Sequence, residues 1–333
     1  MTSRSVVWLA AIALIAVAAA VFVSRSPRPQ HAAELGVPLY PQLKATLNDV
    51  NAIHVRGAAE TAKVTIERAG DGWRIVERGG FAADPARVRK LLLALSDAKT
   101  LEQKSARPEN YAALGVDDLK SANASGKLVE LKGTPKPVSL IVGKQPEGRT
   151  TYVRRAGESQ SWQVDTAIDA STDPKTWLRT DLVDLKPDRV QSVEIAIVGK
   201  PAWSIAKATD KDAEFKVSGV PRGKQLSSPS AASGVASALN SLHLDDVRAI
   251  LDGNAAPAAA ATVRTFDGLS LHCTGYVDGD RHYLRIESAT SSTDEAKKKE
   301  AAEIAARTNG FEFDLPAYKY GALFQPIDEI LKK

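Results

Sequence analysis

Apolar and polar residues alternate at the opening of two stretches of this chain. Asp49-Val50-Asn51-Ala52-Ile53-His54-Val55 and Arg189-Val190-Gln191-Ser192-Val193-Glu194-Ile195 both keep a period of two, which predicts half-buried strands. Further landmarks recur in the same order. Trp73-Arg74-Ile75 is matched by Phe215-Lys216-Val217, and Trp162-Gln163-Val164-Asp165 by Phe311-Glu312-Phe313-Asp314. Trp177-Leu178 and Leu182-Val183 are matched by Leu323-Phe324 and Ile327. Order kept over ~140 residues predicts an internal duplication.

Within the first unit, residues 63–68 and 73–77 predict a hairpin across Ala69-Gly70-Asp71-Gly72. Asp84-Pro85 opens a helix, because Asp caps well and Pro at the first helical position loses no hydrogen bond. Val88, Leu91, Leu92 and Leu95 share its core face, and Arg87, Arg89 and Lys90 lie opposite. Strands are expected at 127–132, 137–142, 151–155 and 161–165. Asp173-Pro174 caps a closing helix that carries Trp177, Leu178 and Leu182. In the second unit Ser228-Pro229 caps the matching helix, with Val235, Leu239 and Leu242 inward. Residues 291–309 form an inserted helix with a Glu295–Lys299 pair at i, i+4. Its Lys297-Lys298-Lys299 run reads as a solvated face or as a contact for anionic headgroups or an acidic partner. The run 255–261, with Pro257, reads as a loop.

Residues 5–23 (SVVWLAAIALIAVAAAVFV) carry no charge, and as a helix they span ~28 Å, close to a bilayer's hydrocarbon thickness. Trp8 takes an interfacial position. Arg4 before the run and Arg25 and Arg28 after it leave the charge balance even. Ala18-Ala19-Ala20 offers a signal-peptide cleavage site, but the run continues through Val21, Phe22 and Val23, which favours an uncleaved anchor. The expected organisation is a transmembrane signal anchor at 1–24, a stalk at 25–46 stiffened by Pro27 and Pro29, and units at 47–187 and 188–333. The expected fold class is α+β: a transmembrane helix, then two tandem, duplicated units, each a mostly antiparallel sheet packed with helices. The bulk of the chain is expected outside the cytoplasm.

The 333 residues are 44% apolar and 25% charged, a globular mix. One cysteine excludes a disulfide framework within the chain and Cys-rich zinc modules. A net charge of +4 argues against nucleic acid as a partner. The run 143–150 misses the phosphate-loop pattern, because Arg149 stands where Lys is needed and strand follows instead of helix. None of the five histidines, His31, His54, His243, His272 and His282, has a His-x-x-x-His partner. A two-residue turn at Asp278-Gly279 sets Cys273 opposite Leu284 and Leu271 opposite Ile286, with His272 on the other face, so Cys273 reads as a core residue. Residues 157–161 fail the Gly-x-Ser-x-Gly pattern at Ser161. Asp117-Asp118 and Asp245-Asp246 read as turn or cap residues. Trp73, Trp162, Trp177, Trp203 and Tyr152 read as core landmarks, with carbohydrate stacking as the alternative. No catalytic residue, metal site or cofactor is nominated. Tyr111, Leu114 and Val116 form an apolar knot in the polar loop 108–116, which either packs back on the sheet or docks a partner.

Several of these segments occur together in one known family. Gly72-Trp73-Arg74-Ile75, Asp84-Pro85-Ala86-Arg87-Val88, Leu91-Leu92-Leu93-Ala94-Leu95 and Pro108-Glu109-Asn110-Tyr111-Ala112-Ala113-Leu114-Gly115-Val116 come in order. Leu140-Ile141-Val142-Gly143-Lys144, Thr151-Tyr152-Val153-Arg154 and Asp173-Pro174-Lys175-Thr176-Trp177-Leu178 follow. The set resembles the bacterial family known as domain of unknown function 4340, most strongly over 72–185. The resemblance implies a single-pass protein of the inner membrane with a periplasmic body, associated with ABC transport systems of the gliding-motility type. It supplies no catalytic residues. The function expected from it is a non-enzymatic accessory or scaffold protein whose partners are the membrane and ATP-binding subunits of a transporter. The alternatives are a periplasmic binding module for an envelope lipid or glycan, and a hydrolase with an unrecognised site.

Overall fold

The computed structural model describes residues 35–60, 63–120, 122–146, 148–250 and 256–332. The expected anchor at 1–24 and the start of the stalk lie outside the described residues.

Nine strands form the first sheet: β1 (Ala52–Arg56), β2 (Lys63–Ala69), β3 (Gly72–Ile75), β4 (Phe81–Ala82), β5 (Thr100–Gln103), β6 (Lys127–Lys132), β7 (Val138–Val142), β8 (Thr151–Arg155) and β9 (Ser161–Val164). Their order is β4-β3-β2-β1-β6-β7-β8-β9-β5. A two-stranded ribbon pairs β10 (Asp181–Val183), which follows the first sheet in sequence, with β14 (Leu242–His243), which falls within the sequence span of the second. Eight strands form the second large sheet: β11 (Val190–Ile197), β12 (Trp203–Ala206), β13 (Lys216–Ser218), β15 (Asp246–Ala249), β16 (Ala259–Thr265), β17 (Leu269–Asp278), β18 (Arg281–Thr290) and β19 (Phe311–Asp314). Their order is β13-β12-β11-β16-β17-β18-β19-β15. With β4 set aside, the two large sheets run in the same order.

The α+β expectation is corrected by this architecture. Three antiparallel sheets dominate and helices are few. No helix among the described residues is long and apolar enough to cross a membrane. Among the described residues, the helices longer than one turn are α1 (Pro85–Asp97), α2 (Glu295–Thr308) and α3 (Ala317–Leu323). The helix expected from Asp173-Pro174 is a single 3-10 turn, Pro174–Trp177. Its backbone is claimed by the first sheet: Asp84 N–H donates to the Trp177 carbonyl at 2.7 Å, and Arg179 N–H to Ala82 at 3.0 Å. The helix expected after Ser228-Pro229 shrinks to one turn, Ser233–Ala236. Ser233, Gly234 and Ser237 are weak helix formers, and Leu242 pairs with Val183 in the ribbon instead. The run read as a loop at 255–261 enters β16, where Ala259 and Ala261 are buried.

Local signals were stronger in α1. The Asp84 carboxylate accepts from the Ala86 N–H at 2.8 Å, and Val88, Leu91, Leu92 and Leu95 are buried. The β17–β18 turn is Gly279-Asp280, because Asp278 pairs with Arg281. Gly279 takes φ 59° at the first loop position, a conformation that glycine adopts without strain. Cys273 therefore faces Ile286 and Leu271 faces Ser288, two residues on from the expected partners. A shift of two keeps the face, and Cys273 stays inside. In α2, Glu295 pairs with Lys298 at 2.8 Å and Lys299 approaches Glu303 at 3.9 Å, replacing the expected Glu295–Lys299 pair. Lys297 turns inward to Asp267 at 2.7 Å.

One continuous core joins both large sheets. At its junction Phe81 of β4 is 1% exposed. Its ring meets Phe311 at 5.1 Å and Phe313 at 5.8 Å, both edge-on, a favoured aromatic geometry.

Candidate functional site

Polar side chains concentrate at several places among the described residues. The first is the loop 108–116. Tyr111 and Val116 are buried and form a small separate cluster with Ile141, and Leu114 packs against it half-buried. All three side chains singled out in the sequence therefore pack on the outer face of the first sheet. Arg154 of β8 latches the loop down. Its Nε donates to the Val116 carbonyl at 2.9 Å, its Nη1 to Glu158 O at 2.8 Å, and its Nη2 to Asp118 Oδ1 at 2.6 Å. The guanidinium also lies 4.5 Å from the Tyr111 ring centre, a cation–π distance. The Tyr111 hydroxyl donates to the Ser159 carbonyl at 2.5 Å. On the solvent side, Gln103, Lys104, Asn110, Ala113 and Gln160 line an open cleft of about 590 Å³.

The second place is the junction of the two large sheets. Strand β19 turns Phe311 and Phe313 toward Phe81 and Glu312 and Asp314 the other way, as the period of two requires. Glu312 is fully covered. Arg248 Nε donates to its Oε2 at 2.7 Å, and Arg285 donates to Oε1 through Nε at 2.8 Å and Nη2 at 2.5 Å. Both guanidiniums stack on tyrosines, Arg248 at 3.6 Å from Tyr283 and Arg285 at 4.4 Å from Tyr276. Burial pushes the Glu312 carboxyl up, but the two arginines outweigh it and hold the group below the usual carboxylate range. Asp314 behaves oppositely: burial raises it, and Asp245 and Asp246 add to the rise against Arg281 and Lys175. Across the junction Arg78 grips Asp246 through Nε at 2.6 Å and Nη2 at 3.3 Å, with Lys175 3.4 Å from the same carboxylate. These pairs join the first sheet's β3–β4 connection and the Pro174–Trp177 turn to β15. Phe311-Glu312-Phe313-Asp314 reads in sequence as a strand. Its alternation separates the carboxylates from the rings, but the arginines arrive from β15 and β18, and no sequence spacing announces them.

The third place is a cleft of about 460 Å³ beside α1. Arg87 and Lys90 reach it from the helix, Lys127 from β6, and Asp169, Ser171 and Trp177 from the segment after β9. Sequence reading put Arg87 and Lys90 on a plain outer helix face. The segment 165–177 folding alongside turns that face into a wall.

The remaining groups are ordinary structural ones. His243 Nδ1 lies 2.9 Å from Asp181 Oδ1, His272 Nδ1 lies 3.2 Å from Thr262 Oγ1, and the His282 ring meets the Tyr320 ring at 4.8 Å in a tilted contact. Burial pushes the Cys273 thiol up to about 12, which leaves it protonated and unreactive at neutral pH. Among the described residues, no group of three or more His, Cys, Asp or Glu side chains could hold a metal ion. Glu147 of the near-miss phosphate loop, His31 and Ala255 lie outside the described residues. Trp162, Trp177 and Trp203 are buried, and Arg68 covers the half-buried Trp73 at 4.8 Å.

The sequence profile of the family described as Domain of unknown function (DUF4340) matches residues 73–264, more than half of the 333. No curated protein and no solved structure matches the chain significantly.

Proposed function

The chain belongs to the DUF4340 family, and from that premise we propose that it is a non-catalytic accessory protein of an ABC-type transport system. In this reading it sits at the bacterial inner membrane, with its sheets on the extracytoplasmic side. Its partners are the transporter's membrane and ATP-binding subunits. The uncharged run at 5–23 supports the membrane location.

The observation that carries the proposal is the use made of charge at the sheet junction. A general acid or base needs a pKa near the working pH. Glu312 is instead held low and accepts from two arginines, and Asp246 is gripped by Arg78 across the junction. Asp246 ties the second sheet to the first through Arg78, and Glu312 braces three neighbouring strands of the second sheet, which suits a scaffold. The cleft outside the latched loop 108–116 is the surface proposed for partner contact.

Crosslinking of the tagged full chain in membranes, with mass spectrometry of what co-purifies, tests this. The expected result is recovery of the membrane and ATP-binding subunits of one transporter, with crosslinks near residues 103–114. Crosslinks found only between copies of this chain would overturn it.

A second reading, a binding module for an envelope lipid or glycan, is favoured by one observation: the basic cleft beside α1.

A further inference from the structure

Lys127 occupies an unusual position for a lysine. It lies on β6 in alternation with Val129 and Leu131, so it leaves the sheet on the face that those residues carry into the core. It is half-buried and opens into the cleft beside α1. Arg87 and Lys90 reach the same cleft from successive turns of the helix. Among the described residues, no carboxylate lies within salt-bridge distance of Lys90 or Lys127, and Arg87 has only a loose contact with Asp84 at 3.7 Å. The cleft holds one acid, Asp169, against three cations.

Its other lining is divided by chemistry. The Ser171 hydroxyl accepts the Asp173 N–H at 3.1 Å, which leaves its own proton to donate. The Thr176 proton is spent on the Asp173 carbonyl at 2.8 Å, and the Trp177 indole N–H on the Ser171 carbonyl at 2.9 Å. Leu91, Ala94 and the Trp177 ring supply an apolar bed. A volume of about 460 Å³ is that of a small-molecule site.

We propose that this cleft binds a phosphate ester, with Arg87, Lys90 and Lys127 on the phosphate, Ser171 donating to it, and the organic group on the Leu91–Trp177 bed. A compact, doubly charged anion matches a surplus of two cations. A guanidinium offers paired donors to phosphate oxygens, and the lysines add point charges. The phosphate can belong to a monoester lipid headgroup, as in phosphatidic acid, or to a soluble monoester, since both present the same three oxygens and the same double charge. This site does not depend on the transport reading. A chain that binds phosphate esters but recovers no transporter subunits upholds the one and overturns the other.

The test is calorimetric titration of the detergent-solubilised full chain with three probes: inorganic phosphate, glycerol 3-phosphate, and short-chain phosphatidic acid below its micelle concentration. Saturable binding of at least one is expected. Arg87→Gln, Lys90→Gln and Lys127→Gln should each weaken it about tenfold, the scale of one lost charge-assisted contact. Lys127→Arg should restore most of it, and Lys298→Gln, on the far surface of α2, should change nothing. Binding of the lipid alone identifies a headgroup, and binding of the soluble probes alone identifies a soluble ester. No saturable binding by any probe overturns the proposal. So does equal binding by a folded triple variant, its fold checked by thermal melting.

Discussion

Glu312 shows what a single side chain does in this protein. Its carboxylate is fully covered, and both oxygens are taken by arginines from neighbouring strands. Removing one partner of a buried ion pair leaves the other uncompensated, so Glu312→Gln should cost about 3–5 kcal/mol in chemical denaturation at neutral pH. The pH dependence follows from the depressed carboxyl. The unfolded state takes up its proton first as pH falls, so the stabilisation is complete above the ordinary carboxylate value and is lost as pH drops through the folded one. The gap between wild type and variant should therefore narrow in acid. A gap independent of pH would contradict the pairing. Asp314, two residues on, has the opposite sign: its raised carboxyl costs stability at neutral pH, and that cost disappears on acidification. The alternation of Phe311 to Asp314 placed these carboxylates on the face away from the rings. Which cations would meet them depended on the order of strands β15, β19 and β18.

Among the elements, α1 and the loop 108–116 differ in what holds them. Helix α1 carries its instructions locally, in the Asp84 cap, Pro85, and apolar residues at i, i+3, i+4 and i+7. The loop is held by long-range contacts from β7 and β8. A Cβ on Gly143 would stand 2.4 Å from the Leu114 carbonyl and 2.8 Å from Val116 Cγ1, so only glycine lets the loop lie down. Gly143→Ala should cost about 1–3 kcal/mol, the scale of overpacking. It should also raise amide exchange at 111–116 well above that of β7 and β8. Unchanged exchange there would show that the loop is not anchored by this approach. The turn at Pro174–Trp177 shows the converse of α1. Its cap and proline announce a helix, and the Asp84 N–H takes the Trp177 carbonyl for the first sheet.

At the scale of the whole molecule, the two large sheets share a core, and Phe81 is its linchpin between Phe311 and Phe313. Phe81→Ala should cost about 3–5 kcal/mol, and wild type should melt in a single transition seen alike by far-UV and aromatic signals. Two separate transitions in wild type would mean that the sheets are thermodynamically independent. The chain by itself determined where several strands begin, which of their residues face inward, and where α1 starts, because period, caps and turn glycines act over a few residues. It also located the family through ordered short motifs. The predominance of sheet over helix, the partners of Glu312 and the basic cleft were decided only in the tertiary structure. Each depends on backbone or side-chain groups brought together from distant segments, and a hydrogen bond or ion pair that one segment supplies to another leaves no periodicity in either.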